Sequence, residues 1–444
     1  KIRKIDLTKT VTADVALHNI DDDAEVTVAV SSSNTAEGTV SPETITFTNN
    51  NWNTAQTVTV SGVDDFNSDG HQGYQVSLSA ANQETNNPEV TTVAGSTEGS
   101  TDGTGTSASF NLPRGITTDG TNLYVADSQN HLIRQIVIST GVVTTVAGTG
   151  SPASVNGTGT SASFNGPVDL TTDGTNLYVA DTLNRIIRQI VISTGVVSTI
   201  AGAGSSGSSN GTGTSASFTG ISGITTDGTN LFVADTDNSL IRKIVISSGL
   251  VTTLAGTGSS GSVNGTGTSA SFNKPRKITT DGKNLYVTEY GSHLIRKIVI
   301  SSGVVTTLAG TGSSGSVNGT GTSASFNEPW GITTDGINLY LADGTNQLIR
   351  KIVISSGLVT TLAGTGSSGS SNGTGSSASF YDPNGIIIDG SNLYVADYGN
   401  HKIRKIALKK TETADIALKN LDDDFPSTPQ IVVSGLLSNS GQLT

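Results

Sequence analysis

The 444-residue sequence has no cysteine and no methionine. Without cysteine there is no disulfide, zinc–thiolate site, iron–sulfur cluster or thiol catalysis. Without methionine, Lys1 is not a translational start, and the chain is expected to be a processed product or an excerpt of a longer one. Charge is sparse as well. Only 14% of residues are charged, and 24 basic against 36 acidic residues leave a formal charge of −12. Nucleic acid and anionic membranes are bound by basic clusters, so neither is an expected partner. Aromatic residues make up 5%, which leaves Val, Ile, Leu and Ala to build the core. No run reaches the ~18 to 20 uninterrupted apolar residues of a membrane span, so no membrane insertion is expected. Gly and Pro together, about 14%, stay below the level of low-complexity disorder, so a folded chain is expected. Long Ser/Thr/Gly/Asn loops, few charges and no thiols fit an extracellular, cell-surface location of bacterial type.

What is present is a repeat. Phe110, Phe164, Phe218, Phe272, Phe326 and Phe380 stand 54 residues apart, and so do Asp127, Asp181, Asp235, Glu289, Asp343 and Asp397. Each of the six units carries four short β-branched segments separated by Asp-Gly and Ser-Gly turns, as in residues 277–280, 284–288, 294–300 and 304–309. Such segments make antiparallel hairpins, and a four-stranded unit repeated six times in a circle is a β-propeller. The ends of the array are offset. Unit one is preceded by a spare fourth-strand sequence, residues 90–95, and unit six stops after its third strand, residues 402–406. Pairing the two would close the ring and remove its exposed edges. The series Tyr-Val-Ala-Asp, Asn-His-Leu-Ile-Arg and Thr-Thr-Val-Ala-Gly, fullest at residues 124–136, resembles the NHL-repeat propellers over about residues 90–406. The resemblance implies the fold more than a function, because these propellers serve as protein-binding, ligand-binding and occasionally catalytic scaffolds.

The fold class read from the sequence is all-β: a six-bladed propeller with an N-terminal small β-sandwich and a C-terminal strand-forming tail. Residues 1–5 read as the end of a preceding propeller-like strand, 6–87 as the sandwich, 88–408 as the propeller, and 409–444 as the start of a further sandwich-like module or a docking tail. The run from Val40-Ser41-Pro42 through residues 53–60 to Gly62-Val63-Asp64-Asp65 resembles Calx-β-like or immunoglobulin-like bacterial surface modules. Residues 1–23 match residues 402–424 at 17 of 23 positions, which reads as one window of a longer array, tandem or polymeric. A duplicated linker is the plainer alternative. The β-prone termini suggest head-to-tail assembly, with the chain itself as partner.

Because the repeats are nearly identical, their exceptions stand out. At the start of each innermost strand the sequence reads Arg114, Val168, Ser222, Arg276, Trp330 and Asn384, and the position alone is taken to vary strongly. With neighbouring Asp169 and Lys277 these side chains are expected to ring one channel mouth. There Arg114, Arg276 and Trp330 would stack on and hydrogen-bond a glycan or peptide ligand, unless the variation is drift in an exposed loop. The pairs Asp127/Arg134, Asp181/Arg188, Asp235/Arg242, Glu289/Arg296, Asp343/Arg350 and Asp397/Arg404 recur in every blade, and sixfold repetition marks them as structural ion pairs or turn caps. His131, His293 and His401 sit in separate blades and are not expected to share a metal. Some lyases of the resembled family use channel-facing histidines with a metal, and the innermost strands here carry none.

Calcium is the expected cofactor: Asp65, Asn67 and Asp69 alternate oxygen donors before Gly70, with Asp21, Asp22 and Asp23 able to add carboxylates. Val76 stands where a calcium loop has its bidentate Glu, and a solvated acidic turn is the alternative. Asn156, Asn210, Asn264, Asn318 and Asn372 read as turn residues or as glycosylation acceptors. The functional expectation is a non-catalytic structural or adhesive module of a secreted fibre, not an enzyme. The alternative is a ligand-binding propeller.

Overall fold

The computed structural model describes residues 10–15, 26–32, 35, 38–47, 56–62, 75–80, 88–408 and 430–433. They fall into two units, residues 87–408 and the flanking segments on either side.

Each repeat forms one blade of a six-bladed propeller. In blade one the strands are Pro113–Thr118, Asn122–Asp127, Leu132–Val137 and Val142–Ala147, antiparallel and in sequence order from the axis outward. The Asp-Gly turn between the first two is held by Asp119, whose Oδ1 accepts the amides of Thr121 and Asn122. The second strands are buried on both faces, which is why they read as continuous apolar runs. The core lies between blades: Tyr178, Ala180, Ile187 and Ala201 of blade two pack with Phe218, Leu231, Val233 and Ile244 of blade three. All six repeat phenylalanines are fully buried, and the guanidinium of each third-strand arginine lies 5.1–5.4 Å from the centre of one of these rings.

Blade six mixes the ends of the propeller. Glu89–Ala94 pairs antiparallel with Lys402–Ala407, so this blade closes the ring. One element was not legible in sequence. A two-residue strand in each blade-to-blade loop, such as Gly103–Thr104, adds a fifth, outermost strand and covers part of the edge. In the flanking unit, Thr10–Val15 and Gly38–Ser41 pair with Gln56–Gly62. Val26–Ser32 pairs with Thr44–Phe47 and Gln75–Ala80. Gln430–Val433 lies parallel to Gln75–Ala80 on its other side.

The histidines staple blades together. His131 Nδ1 accepts the Gly166 amide at 3.0 Å, His293 the Glu328 amide at 3.0 Å, and His401 the Leu112 amide at 3.1 Å across the closing seam. In blade five Gln347 Oε1 does the same for Asp382. A protonated imidazole cannot accept, and burial holds the His131 pKa below the ordinary 6.5. The unfolded chain therefore binds the proton more readily. The contribution is complete above pH 6.5 and is lost as pH falls through the lower folded value. His131→Gln, copying blade five, is expected to remove this part of the acid sensitivity, worth roughly 0.5–1.5 kcal/mol, in melting curves between about pH 7.5 and 5. Identical pH profiles for the two proteins would refute the staple.

Candidate functional site

Arg114, Val168, Ser222, Arg276, Trp330 and Asn384 occupy the second position of the six innermost strands. The position after them is Gly115, Asp169, Gly223, Lys277, Gly331 and Gly385. At this level adjacent backbones nearly touch. A Cβ on Gly331 would lie 2.1 Å from the Asn384 carbonyl oxygen, and one on Gly385 2.2 Å from that of Arg114. Glycine is required there by close approach.

The two non-glycine residues of that ring bind each other. Lys277 Nζ lies 2.6 Å from Asp169 Oδ1 and donates also to the Val168 carbonyl at 3.1 Å, while the Ile224 amide donates to Asp169 Oδ2 at 2.9 Å. The bridge links blade two to blade four past blade three. Both side chains are buried, which pushes the Asp169 carboxyl up and the Lys277 amine down, each opposed by the other's charge. This corrects the sequence expectation: Asp169 and Lys277 do not present themselves at the mouth but are buried against each other, lining the channel with the innermost strands of the other blades. Asn384 is likewise buried, at 1% exposure, and its Oδ1 has no hydrogen-bond partner among the described residues.

What remains at the mouth is a cationic and aromatic cluster. The Arg276 guanidinium lies 3.6 Å from the centre of the Trp330 ring and 4.8 Å from that of Tyr290, and the two rings meet edge to face at 5.9 Å. Arg114 approaches the same indole at 5.8 Å and donates to the Tyr398 hydroxyl at 3.2 Å. Burial first, then the repulsion of Arg114, lower the Arg276 pKa to about 10. Trp330 fits because blade five has Gly344 where other blades have Ser, Thr or Tyr. A Cβ there would lie 2.4 Å from the indole.

Tyr290, Tyr398 and Lys274 were missed by the sequence reading, although a signal existed. The position of Trp330 is not the only one that varies. Ser128, Thr182, Thr236, Tyr290, Gly344 and Tyr398 form a second variable column, and Leu112, Gly166, Gly220, Lys274, Glu328 and Asp382 a third. In the third column Leu112, Lys274, Glu328 and Asp382 hold φ of 48–53°, a left-handed backbone that costs non-glycine residues about 1 kcal/mol or more. Strain of this kind gathers at functional sites.

The six repeated acid–arginine pairs all form, and both partners of each are fully buried. Asp127 and Arg134 lie 2.9 Å apart, Asp181 and Arg188 3.1 Å, Asp235 and Arg242 2.9 Å, Asp343 and Arg350 2.8 Å, and Asp397 and Arg404 2.8 Å. Glu289 reaches Arg296 with help from Ser262 and Ser292. Burial pushes the Asp127 carboxyl up to about 6 against the pull of Asn130, the Asn111 amide and Arg134.

The pairs are part of a wider network, with each arginine as its hub. Arg188 Nη1 also donates to the Ser163 carbonyl at 2.9 Å, Arg350 Nη1 to that of Ser325 at 3.2 Å and Arg404 Nη1 to that of Ser379 at 3.0 Å. Their Nη2 atoms reach the carbonyls of Val155 at 3.0 Å, Val317 at 3.2 Å and Ser371 at 2.9 Å. The Asn-Gly-Thr asparagines join this network and so do more than make a turn. Oδ1 of Asn156, Asn210, Asn264, Asn318 and Asn372 accepts from the arginine Nη2 at 2.8–2.9 Å. The satisfaction is incomplete. With both Nη groups turned to the acid and the loop, Nε of Arg134, Arg188, Arg242, Arg296, Arg350 and Arg404 is buried without an acceptor among the described residues.

The calcium candidates Asp21, Asp22, Asp23, Asp65, Asn67 and Asp69 lie outside the described residues. Among the described residues no group of three or more His, Asp or Glu could hold a metal, and no helix is long and apolar enough to cross a membrane.

No protein-family model matches the chain. Over 309 residues it is 29% identical to human NHL repeat-containing protein 2, covering 61% of this chain and 43% of that protein. The six blades are similar to NHL repeats. The chain spans 26–43% of the length of the curated relatives it matches. The chain is also similar in fold to two solved structures from Bacteroides thetaiotaomicron. One is a protein of unknown function, with TM-score 0.59, 19% identity, and coverage of 89% of this chain and 98% of that one. The other is an auxiliary nutrient binding protein, with TM-score 0.55, 16% identity and the same coverages.

Proposed function

We propose that the chain is a non-catalytic ligand-binding propeller of an extracellular surface protein, and that its site is the mouth formed by Arg114, Arg276, Tyr290 and Trp330. The observation that carries this reading is Arg276, a partly buried cation stacked on an indole with no ion-pair partner among the described residues. Its buried, unpartnered Nε is shared with the six third-strand arginines, but each of those has a carboxylate at bonding distance, whereas Glu328 and Asp237 act on Arg276 only from farther away. A fully buried charge left unpaired costs several kcal/mol and a partly buried one a share of that, which an anionic ligand would return. The nutrient-binding description of one structural neighbour is consistent with the proposal. The test is a thermal-shift screen of glycans and peptides. A ligand that stabilises the wild type and loses that effect with Trp330→Ala supports the mouth, whereas stabilisation untouched by Trp330→Ala puts the ligand elsewhere.

A second reading concerns the flanks. The 17-of-23 match between residues 1–23 and 402–424, and the strand Gln430–Val433 lying along Gln75–Ala80, favour a link in a head-to-tail fibre or adhesin. On this reading residues 6–87 form a Calx-β-like or immunoglobulin-like sandwich whose acidic residues take calcium. The two readings are compatible, since a fibre can display binding sites.

A further inference from the structure

Beside Arg276 the mouth opens into a cleft of about 410 Å³ that spans blades two, three and four, within the range of small-molecule sites. Its charged lining is Arg185, Lys274, Arg276 and Asp237, with the hydroxyls of Thr219 and Ser222 between them. The charge is unusual for this chain. The formal charge is −12, and the six third-strand arginines and Lys277 are all ion-paired. Yet none of Arg185, Lys274 and Arg276 forms an ion pair with a carboxylate among the described residues. Nor does Arg114, which stands behind them at the same indole. Lys274 occupies a left-handed backbone position that blades two and three fill with glycine, so its placement carries strain. The blade-three glycine, Gly220, keeps the cleft open, because a Cβ on it would lie 2.2 Å from Asp237 Oδ2.

The shape of the charge narrows the ligand. A guanidinium stacked by its face on an aromatic ring keeps its N–H fork in the ring-parallel plane, where it suits the two oxygens of one planar carboxylate. Asp237 argues against a bare anion: a ligand offering only negative charge would repel it. A ligand carrying hydroxyls beside its carboxylate would donate to Asp237 and to Ser222 Oγ, whose own proton meets the Gly220 carbonyl at 3.3 Å, whereas the Thr219 hydroxyl is taken by Ser206 and the Gly207 amide. Glu328, which accepts from Thr345 and Tyr290, adds a second carboxylate at the rim that is already occupied.

We propose that this cleft binds a carboxylate-bearing sugar of one or two units, with the carboxylate on Arg276 flanked by Lys274 and Arg185 and the ring hydroxyls on Asp237 and Ser222. The proposal rests on the reading of the mouth as a binding site and names what it binds. The test is calorimetric titration of the full chain with galacturonate, with galactose and with acetate. Galacturonate is expected to bind roughly tenfold or more tightly than either of the others, since each lacks one half of the recognised chemistry. Arg276→Met is expected to remove that advantage. Lys274→Gln, on an exposed loop where it does not endanger folding, is expected to weaken galacturonate severalfold and leave galactose unchanged. Equal affinity for galacturonate and galactose, or for galacturonate and acetate, overturns the acidic-sugar assignment. So does the absence of binding by all three. The mouth reading survives these outcomes if another ligand shows a Trp330-dependent shift, and falls if none does.

Discussion

Arg242→Met is expected to destabilise the propeller by about 3–5 kcal/mol, the usual loss when one partner of a buried ion pair is removed. Arg242 Nη1 bonds Asp235 at 2.9 Å and the Ser217 carbonyl at 3.2 Å, while Nη2 bonds the Ser209 carbonyl at 3.0 Å and Asn210 Oδ1 at 2.9 Å. One side chain thus ties the 209–217 loop to the third strand of its blade. Methionine keeps the apolar contact with Phe218 but leaves Asp235 buried with only the Asn238 side chain and the Thr219 amide. The equivalent changes at Arg188, Arg350 and Arg404 are expected to cost a similar amount, since their partners repeat residue for residue. Urea unfolding should show a lower midpoint at unchanged slope. The double change Asp235→Asn with Arg242→Met should recover part of the loss, because the stranded charge is gone. A single-variant loss below about 1 kcal/mol would mean that the buried pairs are tolerated passengers of the repeat.

Removing residues 425–444 is expected to abolish head-to-tail assembly. Gln430–Val433 can complete its own chain's edge or that of a neighbour with the same hydrogen bonds, so exchange depends on concentration. Electron microscopy of the concentrated chain should show filaments whose axial repeat is one flanking unit plus one propeller, and isolated discs after truncation. Discs in both samples would refute the fibre reading and leave the mouth as the functional element.

The propeller was legible because a circular fold writes its period into the sequence: the regular spacing of Phe110 to Phe380 marks six blades, and the offset ends mark the closing seam. Arg114, Arg276 and Trp330 were legible as exceptions to that period. The partnership of Asp169 with Lys277 was not. The two residues are far apart in the chain and meet only because the ring brings blade two and blade four to one axis. Tyr290, Tyr398 and Lys274 do not show in a single variable column, because a pocket wall is assembled from several. The acids opposite Arg188, Arg350 and Arg404 were legible because acid and arginine recur together in every blade, whereas the loop carbonyls that share these arginines carry no sequence signal at all. The outermost two-residue strands were hidden because Gly-Thr within Gly/Ser-rich loops carries no β-pattern.

The closing seam also fixes how the propeller would respond to tension. Chain enters the ring at Glu89 and leaves at Ala407, and these two residues face each other at the same end of one antiparallel pair. Pulling on the flanks would part the strands from that end, one residue pair after another. In the opposite geometry, strands pulled from far ends must rupture together. Blade six would therefore unzip first and at low force, while the other five blades bear no load until the seam has opened. Once the seam has parted, the roughly 320 residues between Glu89 and Ala407 could pay out, so the strength of one strand pair sets the force at which the whole ring yields length.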